Sequence, residues 1–354
     1  MDSKISFLHL PTQDINHVLD AVSHRWQRLR GQRLLLTGGT GFIGKWLLES
    51  FLEANRRFSL NAQVVVLSRS SGSFLKKFPN LLRAQDVIWI NDDVRNLSSD
   101  SVGDCSFAIH AATDVVASIT HKEILDTCVE GTRRVLEAMS TGKNSRRMLL
   151  LSSGAVYGKP PPEIQTIPED WYGAPDPLSP SSAYGEGKRI SELMAAMALA
   201  VTPGLEIAIA RCFAFVGPYL PLDKHFAIGN FIGSAMRNED IYIQGDGTPL
   251  RSYLYASDLT IWLWTMLFDA PNGRAYNLGG DESVSICQLA NRVNQVLNGC
   301  GKVFLLKAPQ PGCPPQVYVP SLARISTELR LTPSISLDEA ICRTARWVSE
   351  GHYE

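Results

Sequence analysis

The segment Thr37-Gly38-Gly39-Thr40-Gly41-Phe42-Ile43-Gly44 follows the apolar run Leu34–Leu36 and precedes an amphipathic stretch. Its glycines fit two spacings, GxGxxG at 39, 41 and 44 and GxxGxxG at 38, 41 and 44. Both describe a strand entering a tight turn from which a helix leaves. Backbone N–H groups in such a turn can approach a pyrophosphate placed on the helix N-terminus. Gly38, Thr40, Gly41, Phe42, Ile43 and Gly44 are therefore assigned to a dinucleotide cradle.

Three further strand ends complete that site. The second apolar run closes in Val66-Leu67-Ser68-Arg69, with no carboxylate to accept from a ribose diol. Ser68 and Arg69 instead suit a 2′-phosphate, which points to NADP, with NAD the other possibility. After the third run, Asp93 and Val94 lie where a carboxylate can meet the adenine amino group or cap a short helix. After the fourth, small residues in Ala111-Ala112-Thr113 leave room for a cofactor, while the preceding His110 reads equally as a structural histidine.

Tyr184 and Lys188 are four residues apart and share a helix face. A phenol beside an ammonium suits acid–base work at an alcohol or ketone. Next to a charged nicotinamide, Lys188 lowers the phenol pKa of Tyr184 toward working pH. The phenolate then takes the hydroxyl proton as hydride leaves the carbon. Ser153, at the end of the fifth apolar run, hydrogen-bonds the same oxygen. Ser153, Tyr184 and Lys188 form the catalytic set, and Tyr184 and Lys188 also touch the cofactor.

The elements that must hold these groups are legible as a pattern. Near-continuous apolar runs at 34–36, 64–67, 87–90, 107–109, 148–151, 207–210 and 276–278 read as strands buried on both faces. Helical stretches at 45–54, 125–139 and 183–199 lie between them. The fold class is α/β, a doubly wound parallel sheet of Rossmann type with a smaller C-terminal lobe. Residues 1–31 form a helical extension, with one helix over 12–30. Residues 32–218 bind the cofactor, with return strands at about 251–279, and 219–250 with 280–354 make the substrate lobe. The Pro- and Gly-rich stretch 159–181 is a surface loop at the substrate rim.

Composition excludes other classes. The 354 residues carry 34 Lys+Arg against 35 Asp+Glu, so no electrostatic footprint for nucleic acid or an anionic membrane exists. Seven cysteines, none in a CxxC pair, argue against a disulfide framework or a zinc site and for a reduced, cytoplasmic compartment. No secretory leader is visible, and the most apolar run, 259–268, is shorter than the about 20 residues a bilayer requires.

These motifs, in this order and together with Arg211 to Pro218, Arg251 to Leu259 and Tyr276 to Gly279, resemble the extended short-chain dehydrogenase/reductase family in its nucleotide-sugar epimerase/dehydratase branch. The resemblance spans about residues 32–345. It implies a nucleoside-diphosphate sugar substrate contacted by Asp114, Ser153 and Arg251, the last on the pyrophosphate. It also implies hydride transfer at the sugar C4 and a homodimer built on helices near 125–139 and 183–199.

Departures from the family pattern bear on the reaction. Family dehydratases and decarboxylases place acids just before Val-Tyr-Gly, and here Gly154 and Ala155 stand there. Ala214 replaces a usual Asn, and Gly187 replaces a usual Ser. A 4-epimerase and an NADPH-consuming 4-ketoreductase are the leading readings. A dehydratase or decarboxylase would draw its acid from Asp114 or Glu186. A non-catalytic NADP(H)-sensing module is the outlying reading.

Overall fold

The computed structural model describes residues 9–79, 81, 84–113, 120–141, 146–224 and 226–352. Seven strands form one parallel sheet: β1 (Arg33–Thr37), β2 (Gln63–Leu67), β3 (Val87–Ile90), β4 (Phe107–His110), β5 (Arg146–Ser153), β6 (Leu205–Cys212) and β7 (Ala275–Leu278). Their order is β7-β6-β5-β4-β1-β2-β3. Each of the seven apolar runs is a strand of this sheet, and the architecture is the Rossmann-type α/β fold. Successive side chains on a strand point to opposite faces. Leu34 and Leu36 of β1 accordingly enter one core, with Val64, Val66 and Ile109, while Leu35 enters the other, with Val65, Met148 and Ile207.

Helices cover both faces. The first core is closed by α2 (Phe42–Phe58), through Trp46, Leu47 and Phe51. The second is closed by α3 (His121–Ser140) and α4 (Ala183–Val201), through Val135, Met139 and Ala195. Gly187 lets these two helices meet, since a Cβ there would stand 2.8 Å from the Cβ of Cys128. The run 259–268 lies in α5 (Ala256–Asp269), which is buried from Ala256 to Phe268 and is apolar for that reason. Of the region expected to return to the sheet, 275–278 does so. Leu250–Arg251 pairs instead with Val284–Ser285 and Val317–Tyr318 in a small separate sheet.

The N-terminal segment is not one helix. The α-helix α1 (Thr12–Val22) ends where Ser23 takes a φ of 54°, and Ser23–Leu29 continues as a 3-10 turn. The tighter turn brings Trp26 against Trp264 of α5, at 4.8 Å between ring centroids. Asp14 of α1 is buried and accepts from Tyr255 Oη at 2.6 Å and Arg343 Nη1 at 2.7 Å, tying α1 to the C-terminal helix Leu337–Trp347. The loop 159–181 is also less superficial than its composition suggests. Ile167 donates its N–H to Val319 O at 2.8 Å, and buried Glu169 accepts from the Asn277 N–H at 3.0 Å.

Glu49 of α2 pins the start of the described chain. Its carboxylate accepts from the N–H groups of His9 and Leu10, at 2.9 and 3.1 Å, and from Tyr219 Oη. Burial raises this carboxyl from 4.5 to about 7. The folded chain therefore holds the proton more tightly than the unfolded chain. The stability this contributes is full below about 4.5 and is lost as pH rises through about 7. Lys45, lowered by burial to about 8, stays mostly charged below about pH 7 and opposes this slope only as pH approaches 8. Glu49→Gln is expected to flatten the pH dependence of the denaturant midpoint between about pH 5 and 7.5. A variant with the wild-type slope would contradict this assignment.

Candidate active site

The crevice opens at the carboxyl ends of β1 and β4, where the sheet order reverses, the usual ligand position in an open α/β sheet. β1 runs into Gly38, whose φ of +72° favours glycine and whose Cβ would lie 2.8 Å from the Ala111 carbonyl. At Gly44 a Cβ would stand 2.1 Å from Gly38 O. The turn and the first turn of α2 thus touch backbone to backbone and leave a cradle that side chains would fill. Thr37 Oγ1 accepts from the N–H groups of Ala111 and Ala112, at 3.2 and 3.1 Å, locking the ends of β1 and β4 together. His110 sits beneath this floor, its Nδ1 2.7 Å from Thr37 Oγ1 and its Nε2 3.2 Å from Thr132 Oγ1. Burial holds its pKa down to about 3, so it is neutral and serves as a structural connector.

A cleft of about 700 Å³ extends from the cradle over Ser68, Arg69, Asp93, Val94 and Ala111 to Thr113. Buried Ser68 lies 2.9 Å from Thr40, Oγ to Oγ1, closing one corner. Arg69 is half-exposed at the rim, with Nη1 3.9 Å from Asp93 Oδ2. Asp93 caps the turn Val94–Asn96 by accepting from the Arg95 N–H at 2.9 Å, and it receives two further bonds from that guanidinium. These bonds hold its carboxyl below the usual range. The cap, one of the two readings open for Asp93, is formed, and the residue also lines the cleft. Phe42 faces a second, aromatic pocket, Ile43 packs into the core, and Asp114 lies outside the described residues.

The three candidate catalytic residues lie beyond Thr113, at the other end of the cleft. Ser153 ends β5 and caps the 3-10 turn Gly154–Tyr157, its Oγ accepting from the Ala155 N–H at 3.1 Å. Ser152 points away, donating to Glu192 Oε1 at 2.5 Å, and Glu192 is held by the fork of Arg211 at 2.7 and 3.0 Å. Burial raises the Tyr184 phenol above the usual range, outweighing the Ser153 hydroxyl, which acts to lower it. Lys188 Nζ donates to Thr113 Oγ1 at 2.8 Å and Leu151 O at 2.7 Å and stands 6.0 Å from the centre of the Tyr184 ring. Burial lowers its pKa. A protonated phenol beside a serine hydroxyl is arranged to donate a proton to a carbonyl oxygen.

Two residues that sequence patterns do not single out complete the site. Tyr318 comes from the strand Val317–Tyr318, and its Oη lies 3.5 Å from Ser153 Oγ. Phe213 packs on Tyr318 with the rings tilted by 39° and their centroids 4.7 Å apart, and its ring lies 2.8 Å from where a Cβ on Gly154 would stand. Arg251 lies over Tyr318, 5.4 Å from the ring centre, and donates to Leu250 O at 2.8 Å. Glu186 sits on the outer side of α4, paired with Arg189 at 3.5 Å. Among the described residues no group of His, Cys, Asp and Glu is arranged to hold a metal ion, and no helix is long and apolar enough to cross a membrane.

Comparison with known proteins places this geometry in context. The model of the NAD-dependent epimerase/dehydratase family matches residues 34–279. The chain is 26% identical over 316 residues to UDP-glucuronic acid decarboxylase 1 of Xenopus tropicalis, covering 89% of this chain and 72% of that protein. It is 28% identical over 324 residues to dTDP-glucose 4,6-dehydratase of Streptomyces niveus, covering 89% and 92%. Among solved structures, a UDP-glucose 4-epimerase of Thermotoga maritima superposes with a TM-score of 0.76 at 20% identity, over 91% of this chain and 100% of that one.

The cradle makes a direct prediction. Gly44→Ala drives a methyl into the Gly38 carbonyl and opens the turn. Calorimetric titration should show dinucleotide affinity falling by about a hundredfold or more, with circular dichroism unchanged. Wild-type affinity in the variant would show that the turn holds no phosphate.

Proposed function

The chain belongs to the NAD-dependent epimerase/dehydratase family, and from that premise we propose that it acts at C4 of a nucleoside-diphosphate sugar, as an NADPH-dependent 4-ketoreductase before a 4-epimerase. The observation that carries the reading is the convergence of Ser153, Tyr184 and Lys188 at the end of a cleft that begins at the glycine cradle. A bound nicotinamide dinucleotide supplies or accepts the hydride.

The chain's own residues do the rest. Ser153 and Tyr184 hold the substrate oxygen, and Tyr184 gives it a proton on reduction or takes one on oxidation. Lys188, fixed by Thr113 and Leu151, sets the charge beside that phenol and positions the ribose end of the cofactor. Ser68 and Arg69 would grip a 2′-phosphate, which supports NADP over NAD. Arg251 is the donor fork for the diphosphate.

A second reading, dehydratase or decarboxylase, is favoured by the names of the two curated relatives. It requires a proton carrier next to the reacting carbon. Gly154 and Ala155 carry none, Glu186 faces the outer side of α4, and Asp114, the other acid open to this reading, lies outside the described residues. The ketoreductase needs only the three groups already converged. The chain is further proposed to work as a cytoplasmic homodimer. Its support is an apolar stripe on α4, where Leu193, Met197 and Val201 are 60, 62 and 78% exposed.

Tyr184→Phe should lower kcat by about 10²- to 10⁴-fold, far more than it raises the NADPH dissociation constant. Undiminished turnover would remove the phenol from the reaction. Arg69→Ala should weaken NADPH by about tenfold and leave NADH unaffected; equal loss of both would assign Arg69 to the general rim.

A further inference from the structure

The wall facing Ser153 and Tyr184 is aromatic and apolar, and it leaves no space at residue 154. Any side chain on Gly154 would meet the Phe213 ring at 2.8 Å, so Phe213 occupies the volume that a residue there would need. Phe213 packs, tilted, against Tyr318 at 4.7 Å between ring centroids, and the Tyr318 hydroxyl faces Ser153 Oγ. The adjoining pocket continues through Phe42, Phe215, Phe226 and Ile228. Among the described residues lining it, Arg251 is the charged one, and its guanidinium lies on Tyr318 and bonds Leu250 O and Gln316.

A hydroxyl or carboxylate pressed against the Phe213 ring would lose its water and gain no partner from that ring. In a sugar reacting at C4, the neighbouring C3 carries a hydroxyl that needs hydrogen bonds. The substituent on C5 is the one that can be apolar. We infer that Phe213 and Tyr318 form a subsite for an uncharged, apolar C5 substituent, so that the substrate is a 6-deoxy nucleotide sugar bearing a methyl group there rather than a uronic acid. This rests on the nucleotide-sugar reading above and narrows it. A 4-keto-6-deoxy sugar must be supplied by an elimination that removes the C6 hydroxyl, a step that residues 154 and 155 of this chain cannot assist.

The test is equilibrium binding to the full chain saturated with NADPH. The ligands are UDP and dTDP, and their conjugates with glucose, 6-deoxyglucose and glucuronic acid. The 6-deoxy conjugate should bind about tenfold tighter than the glucose conjugate and about a hundredfold tighter than the glucuronate. Glucuronate binding as tightly as the 6-deoxy sugar would overturn the subsite while leaving the nucleotide-sugar reading intact. Binding of no conjugate and no nucleotide would overturn that reading and the subsite with it. Phe213→Asn should reduce the 6-deoxy preference to about threefold or less without changing the affinity for the free nucleotide, because a polar wall can satisfy a hydroxyl. Phe213→Leu, which keeps the wall apolar, should preserve the ranking. An unaltered preference in Phe213→Asn would remove Phe213 from substrate selection.

Discussion

Lys188 places an ammonium inside the protein, where desolvation works against its charge. Two neutral oxygens offset that cost, Thr113 Oγ1 from the segment after β4 and Leu151 O from β5. The bond to Leu151 fixes the lysine to the strand that ends in Ser153, and the bond to Thr113 fixes it to the floor of the cleft. Because Lys188 and Tyr184 share a face of α4, one buried cation sets the position of the phenol relative to the serine and the cradle. The sheet order, the close packing of α3 on α4 through Gly187 and the Thr37 lock between β1 and β4 all serve this one placement.

That dependence explains why much of the site could be read in the sequence. The cradle is a contiguous turn, Tyr184 and Lys188 are one helical turn apart, and Ser153 ends an apolar run. Each is a local pattern with a mechanical reason. Six of the seven strands were legible because both their faces are largely buried, and the edge strand β3 because it is apolar throughout although only partly covered. Phe213 and Tyr318 were not. Tyr318 lies 165 positions from Ser153, on a two-residue strand in an irregular, proline-rich tail. Its pairing is decided by the small sheet it forms with Arg251, which has no period in the chain. The extent of α1 was misjudged because the hydrophobic spacing of Trp26 survives the change to a 3-10 turn, while the positive φ of Ser23 carries no sequence mark.

The departures from the family pattern have physical causes. At Gly187 a Cβ would crowd the Cβ of Cys128 of α3, and at Gly154 it would meet the ring of Phe213. The first adjusts packing beneath the catalytic helix. The second changes what the pocket can do. The remaining acids near α4, Glu186 and Glu192, are paired with Arg189 and Arg211 away from the reacting face.

The central claim is that hydride passes to the sugar C4 as Tyr184 supplies a proton. The full chain would be incubated with a 4-keto-6-deoxy nucleotide sugar and NADPH deuterated at its transferable position, and the product examined by NMR. One deuterium at C4 of the sugar is the predicted result. Deuterium at another carbon, or a changed sugar with all of the label still on the dinucleotide, would contradict the account.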